Sequence, residues 1–253
     1  MLSKAKIKLI HALQQKKQRQ QEGRFVAEGP KVVGDLMAVM PASILVATDS
    51  WLQDHEGQIQ AEEIISVTSD ELRKVSFLQH PQEVLALFPL AHKDIPLPDP
   101  TTDLVLALDG VQDPGNLGTI IRIADWFGIT DIICSEETAD VYNPKVVQAT
   151  MGSIARVRLH YMSLDKFLDN IPKETPIYGT LLDGQDIYSQ PLSPYGVIIM
   201  GNEGNGISPA IARRVTHRLL IPNFPAGRPT ADSLNVAIAT AITCAEFRRR
   251  MEG

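Results

Sequence analysis

Six short apolar runs constrain the second half of this chain more than any other feature. They are LVLALD (104–109), DIIC (131–134), ARVRLHY (155–161), PIYGTLL (176–182), GVIIMG (196–201) and HRLLIP (217–222). Most are apolar at consecutive positions rather than alternate ones, the pattern of strands buried on both faces. The segments between several of them have helical length or pattern, so the runs predict a mainly parallel sheet covered by helices. In open sheets of this kind ligands bind outside the carboxyl ends of the strands. Polar residues that directly follow these runs are therefore the first place to look for chemistry.

Three such clusters occur. In LALDGVQDPGNLGTII (Leu106–Ile121), Pro114 fixes one φ, and Gly115 and Gly118 permit a tight turn or close approach to a ligand. Asn116 is expected to cap a helix that starts near Leu117 and carries Arg122. This gathers Asp109, Gln112, Asp113, Asn116 and Arg122 at the end of a buried strand. The second cluster is GNEGNGIS (Gly201–Ser208), and the third runs from Ile221 to Asn235, ahead of a terminal helix expected over Ser233–Arg250. Taken singly, each has a plain reading: a capped turn, a solvated carboxylate at Glu203, an N-cap at Ser233. Asn235 is the odder residue, because asparagine is a weak helix former and usually has a partner where it occurs.

Residues 1–90 read as a smaller α/β domain: a helix over Lys4–Gln21, a strand in RFVAEGP, a helix through Met37, and strands over Ser43–Thr48, Glu63–Val67 and Glu83–Pro89. Thr68 and Glu71 form a capping box. His11, His55 and His80 have no evident partners, and no catalytic cluster stands out. Residues 91–103, rich in proline and aspartate, read as a linker, and 104–253 as the second domain. Charge is uneven. Residues 1–24 hold Lys4, Lys6, Lys8, Lys16, Lys17, Arg19 and Arg24 against Glu22, a local +6 in a chain whose net charge is −6. A basic arm on an acidic body suits phosphate contacts, and a solvated helix face is the plain alternative. The two cysteines, Cys134 and Cys244, form neither a disulfide framework nor a metal-ligand spacing. The lysine-rich start lacks a secretory pattern, and no apolar run approaches the ~18 residues of a membrane span, so a cytoplasmic location is expected.

Taken together and in order, the motifs resemble those of the SpoU family of RNA ribose methyltransferases, within the knotted SPOUT superfamily. The resemblance rests on DPGNLGTIIRIADWFG, YNPKVVQATMGSIARV (Tyr142–Val157), IIMGNEGNGIS and SLNVAIATAI, and covers Leu104 to about Phe247. The segments KIKLIHAL and RFVAEGPKVV resemble the L30e-like substrate-binding domain often fused ahead of these enzymes.

The resemblance implies an α/β trefoil knot, a homodimer, S-adenosylmethionine as cofactor with no metal, and methyl transfer to a ribose 2′-hydroxyl of structured RNA, with ribosomal RNA ahead of transfer RNA. It places Asn116, Arg122, Glu203, Ser233 and Asn235 at the active site. It places Thr180, Leu181, Leu182, Met200, Gly201, Ile221 and Leu234 along the cofactor cleft. Arginine is effectively always protonated, so Arg122 is expected to stabilise developing alkoxide charge or clamp a phosphate rather than act as a base. One departure stands out. The loop PNFPAGRPTAD before SLN is about four residues longer than the family pattern, Asp232 replaces a glutamate, and Arg228 within it is read as exposed. Two other readings stand beside the enzyme: a non-catalytic knotted RNA-binding protein, which intact motifs argue against, and a Rossmann-like nucleotide-binding protein. Strand pattern alone suggests the latter, but no GxGxxG follows any strand.

Overall fold

The computed structural model describes residues 2–90, 95–225 and 231–250. The chain divides into two compact units, Met1–Ile95 with Asp140–Ala155, and Pro96–Ala139 with Arg156–Gly253. Unit 1 opens with α1 (Lys4–Ala12), α2 (Lys16–Glu22), β1 (Arg24–Glu28), α3 (Pro30–Met37), β2 (Ile44–Thr48), α4 (Asp49–Asp54), β3 (Ile64–Val67), α5 (Ser69–Arg73) and β4 (Val84–Pro89). Unit 2 begins with β5 (Leu104–Asp109), α6 (Pro114–Trp126) and β6 (Asp131–Cys134), after which the chain returns to unit 1 for α7 (Pro144–Ala149). The remainder of unit 2 is β7 (Arg158–Tyr161), α8 (Leu164–Asn170), β8 (Ile177–Asp186), β9 (Gly196–Gly201), α9 (Pro209–Ala212), β10 (His217–Leu220) and α10 (Val236–Arg249). The undivided 104–253 domain expected from sequence therefore gives way to one that lends residues 140–155 to unit 1. Of the expected linker, residues 91–94 lie outside the described residues.

The four strands of unit 1 lie in the order β1-β4-β2-β3, with β4 antiparallel to both neighbours and β2 parallel to β3. Alternate residues of β1 serve opposite faces. Phe25 and Ala27 join a core with Val33 and Leu36 of α3, Trp51 of α4 and Val147 of α7. Val26 joins Ile10, Leu13 and Leu72 on the other side. Both faces are covered, which is why β1 and β2 read as continuous apolar runs. Segment 140–155 is held to this unit by apolar packing and by the Phe25–Tyr142 ring pair, centroids 4.7 Å apart.

The single helix expected over Lys4–Gln21 is two. Leu13 is fully buried, and the Arg19 guanidinium donates to the carbonyls of Leu13 and Gln14, each at 2.8 Å. A continuous helix would need those carbonyls for the amides of residues 17 and 18, so the arginine takes the place of the missing backbone bonds. Its other arm reaches the Asp140 carboxylate at 2.5 Å. Arg19 is 2% exposed and is therefore no RNA contact but a buried strut, contrary to its expected role. The capping box at Thr68 is present: Glu71 N donates to Thr68 Oγ1 at 3.2 Å, and Thr68 N to Glu71 Oε2 at 3.1 Å.

Unit 2 is built on six parallel strands in the order β10-β8-β9-β5-β6-β7. One face carries Val105, Ala107, Ile133, Val197 and Ile199 against Leu164, Phe167 and Leu168 of α8 and Ile211 of α9. A doubly wound nucleotide-binding sheet would set the fourth strand beside the first, with the fifth outside it. Here β9 takes the place beside β5, and β8 lies beyond it. The exchange excludes the Rossmann order that strand pattern alone suggests. No helix among the described residues is long and apolar enough to cross a membrane.

The buried guanidinium yields a stability test. Arg19→Ala leaves two carbonyls without their donor and the Asp140 carboxylate without its cation, though still bonded to the Tyr142 amide, and should cost about 3 kcal/mol, as expected when one member of a buried pair is removed. Urea unfolding measures it. A cost below about 0.5 kcal/mol, with a loss of RNA affinity instead, would return Arg19 to the surface.

Candidate active site

β5 and β9 run in register from Leu104 opposite Gly196 to Asp109 opposite Gly201. Their carboxyl ends are therefore level, and the first two polar clusters leave the sheet side by side, one strand spacing apart. Gly201 must be glycine, since a Cβ there would lie 2.2 Å from the Gly206 carbonyl carbon. The turn it enters is stitched to its neighbour by Asn202, whose Nδ2 donates to Gly110 O at 2.7 Å while Oδ1 accepts from the amides of Gly204 and Asn205. Ser208 N donates to Asp109 Oδ2 at 2.7 Å. Gly110 turns the first loop with a φ of +74°, a conformation that favours glycine.

The helix after the first loop starts earlier than expected, and its cap is a different residue. Asp113 is the N-cap: its Oδ1 accepts from Asn116 N at 2.8 Å, with Pro114 in the first helical position. Aspartate ahead of proline is the stronger start signal, and it frees the Asn116 side chain. Asn116 Nδ2 donates to Glu203 Oε1 at 3.1 Å, and Asn116 Oδ1 accepts from Asn235 Nδ2 at 2.9 Å. Glu203 also accepts from Asp113 N at 3.1 Å and Gln112 N at 3.3 Å. Partial burial raises the Glu203 carboxyl, but the hydrogen bonds from Asn116, from its own amide and from Asp113 and Gln112 outweigh that. Together they hold the group below its ordinary value of 4.5. It is a carboxylate at neutral pH, and acceptor-only.

The third cluster reaches the same point through Asn235, which is the N-cap of α10, so the plain reading of Ser233 as the cap does not hold. Its Oδ1 accepts from the amides of Ala237 and Ile238. α10 packs along α6. At the far ends of the pair, Arg248 donates to Phe127 O at 2.6 Å and Gly128 O at 3.1 Å, covering carbonyls at the end of α6. Three expected site residues, Asn116, Glu203 and Asn235, thus meet in one network. Arg122 stands six residues past Asn116, about 9 Å along the helix, exposed and with no bond to the network. Ser233 is likewise exposed. The expectation placed Asp113 in the first cluster but gave its capping role to Asn116, although the D-P pair signals it; it missed Asn202, which nothing in the surrounding residues separates from its neighbours.

The expected cofactor residues cluster at the same end of the sheet. In β8 the pairing with β10 jumps from Gly179 opposite Arg218 to Gln185 opposite Leu219, so residues 180–184 bulge out of the ladder. Thr180 Oγ1 lies 3.7 Å from the Met200 sulfur at the end of β9. Leu182 is 75% exposed and Leu234 51% exposed. Unladdered main-chain groups beside exposed apolar side chains fit a nucleoside carrying a thioether or sulfonium. Among the described residues no cluster of three or more His, Cys, Asp or Glu is placed to hold a metal ion. Of the basic arm, Lys4, Lys8, Lys16 and Lys17 are exposed, whereas Lys6 pairs with Glu63, Arg24 is half-buried and Arg19 is buried. Arg228 lies outside the described residues.

The chain matches known proteins over most of its length. Residues 103–245 match the model of the SpoU rRNA Methylase family, and residues 4–86 that of the MRM3-like substrate binding domain. The 23S rRNA (guanosine(2553)-2′-O)-methyltransferase RlmP of Bacillus subtilis is 31% identical over 248 residues, covering 96% of each chain. A TrmH-family structure from Porphyromonas gingivalis superposes with a TM-score of 0.88 at 41% identity, over 99% of each chain. The AdoMet-bound rRNA methyltransferase from Sinorhizobium meliloti gives 0.86 at 31%, over 99% of this chain and 97% of that one.

The network makes unit 2 acid-sensitive in a defined window. Because the Glu203 carboxyl is lowered on folding, its contribution is complete above its ordinary value of 4.5 and is lost as pH falls through the folded value. Unfolding free energies of the protein and of Glu203→Gln should differ by about 1.5–3 kcal/mol at pH 7, typical of hydrogen bonds to a charged group. The gap should narrow below pH 4.5. A gap that does not change with pH would mean that the carboxylate does not join the loops.

Proposed function

The chain belongs to the SpoU rRNA methylase family, and from that premise we propose that it transfers a methyl group from S-adenosylmethionine to a ribose 2′-hydroxyl of ribosomal RNA. Its second unit has the α/β-knot fold of these enzymes. The observation that carries the proposal is the network joining Asn116, Glu203 and Asn235 at the carboxyl ends of the parallel strands. When bound, the cofactor supplies an electrophilic methyl on sulfur, so the protein's task is positioning and charge stabilisation.

Thr180, Leu181 and Leu182 on the bulge, Met200 and Gly201 at the end of β9, Ile221 after β10, and Leu234 would hold the cofactor. Asn116, Glu203 and Asn235 are positioning residues. Glu203 spends its acceptors on Asn116 and two amides, so it fixes the loops and takes no proton. Asn116 keeps one N–H for a bound group. Arg122 is an exposed guanidinium with no bond to a described residue, and it offers a fork of donors to the developing alkoxide or the adjacent phosphate. The ribose proton leaves late, by way of Ser233 or of water. Lys4, Lys8, Lys16 and Lys17 supply phosphate contacts in unit 1. A homodimer through unit 2 is part of the proposal, supported by large apolar side chains left exposed on its packed helix pair, Trp126 at 85% and Ile238 at 53%. The proposed location is the cytoplasm, with the RNA.

Labelled methyl transfer to fractionated RNA, followed by alkaline hydrolysis, tests the reaction: one alkali-resistant linkage is expected, and label on a base ring would sink the proposal. Arg122→Ala should lower turnover by a factor on the order of 100–1,000, as for loss of a charge-stabilising donor, with cofactor affinity unchanged by calorimetry. Activity within about threefold of the parent would remove Arg122 from the site.

A further inference from the structure

Beside β1, which is an edge strand, unit 1 holds a cavity of about 290 Å³. Its walls include Val26, Glu28, Phe77 and, from α7, Pro144, Lys145 and Gln148. That volume is at the lower limit of ligand pockets, about 300–1,000 Å³, and suits a single ring system. The lining is mainly apolar, with one anionic group at depth: Glu28 is 7% exposed. Its Oε1 accepts from Phe77 N at 2.8 Å and its Oε2 from Ser76 Oγ, which leaves each oxygen room for another donor. Burial pushes the carboxyl above its ordinary value, and the bonds from Ser76 and Phe77 offset this only in part. A carboxylate in that state gains from further N–H donors. Lys145, by contrast, is exposed at the rim, and no ion pair among the described residues joins it to Glu28.

A deep carboxylate, a flat ring and proline in the walls, and a cation at the mouth match a nucleotide with its base inward. Among the four RNA bases only guanine presents two adjacent N–H donors, N1–H and the 2-amino group, to a bidentate acceptor. Adenine and cytosine pair one amino group with a ring acceptor, and uracil flanks its N–H with two carbonyls. Extruded RNA bases are read in this way, by edge hydrogen bonds and by stacking against aromatic and apolar side chains.

We propose that this cavity receives one extruded guanine of the RNA substrate: Glu28 accepts from N1–H and N2–H, Phe77 and Pro144 flank the ring, and Lys145 meets a phosphate. The site is separate from the methyl-transfer cluster and rests on the reading of this chain as an RNA-binding enzyme. It assigns unit 1 a base-specific role beyond the non-specific grip of surface lysines.

The test titrates the full chain with GMP, AMP, CMP and UMP, following the resonances of Phe77, Val147 and Ala149 by NMR. GMP should shift them and bind about tenfold or more tightly than the other three, the discrimination of one good bidentate contact. Glu28→Gln, which keeps the shape and can still accept from Phe77 N, should abolish the preference. Ala149→Leu, which fills the cavity and leaves Glu28 intact, should abolish binding. Lys145→Gln should weaken GMP but not guanosine. Resonances that no nucleotide shifts, four nucleotides that bind alike, or a Glu28→Gln variant that still prefers GMP would each overturn the proposal. GMP binding without methyl transfer to any RNA would uphold the cavity and sink the reading of unit 2.

Discussion

The Glu203 carboxylate and the Asn116 amide that donates to it are the contact on which unit 2 depends. Glu203 comes from the loop after β9, Asn116 from the first turn of α6, and Asn235 from the cap of α10, so one continuous set of hydrogen bonds ties three segments far apart in sequence. Each member needs the others. The carboxylate can only accept, so its position depends on donors, and two of them are the amides of Gln112 and Asp113 that open the first loop. Asn116 passes the constraint on, donating at one end and accepting at the other. In a partly buried place, groups so linked are held more firmly than separate surface contacts would be.

This arrangement is possible because of the parallel register. With Asp109 opposite Gly201, two loops start level and one strand spacing apart. β9 rather than β8 lies beside β5, which brings the GNEG turn, and not the β8 bulge, against the first motif. The bulge of residues 180–184 then lies on the far side of Met200. A carboxylate-ordered polar cluster and a bulge bearing the exposed Leu182 are thereby set on either side of one strand end.

Unit 1 shows a different economy. Its edge strand packs against α7, a helix from the stretch that matches the methylase family model and not the substrate-binding one. Family boundaries follow sequence, whereas compact units follow burial, and here they part at 140–155. The price of closing this unit is a buried arginine: Asp140, Leu13 and Gln14 converge on the two terminal nitrogens of Arg19, while its Nε is buried without a partner. The same α7 closes the cavity over Glu28, so a helix recruited to cover a strand also completes a pocket.

Much of this was legible in the sequence, because the relevant signals are local. Continuous apolar runs identified the parallel strands, since burial on both faces leaves no polar alternation; Thr68 and Glu71 announced a helix start within four residues; and the ordered motifs identified the family. What the sequence could not decide turned on long-range partners. Whether Asn116 caps a helix or bridges loops depends on Asp113 and on residues 87 and 119 positions away. A positive charge reads the same whether it is solvated, as at Lys16, or buried, as at Arg19, because only the fold supplies Asp140 121 residues later. Strand order, too, was beyond reach: β8 and β9 have similar apolar runs, and which of them lies beside β5 is a property of the path between them, not of their composition. By itself the sequence determined which segments are buried strands and which polar turns follow them. Only the tertiary structure decided which side chains meet, because hydrogen bonds between distant loops depend on register and strand order, and neither is written in any one segment.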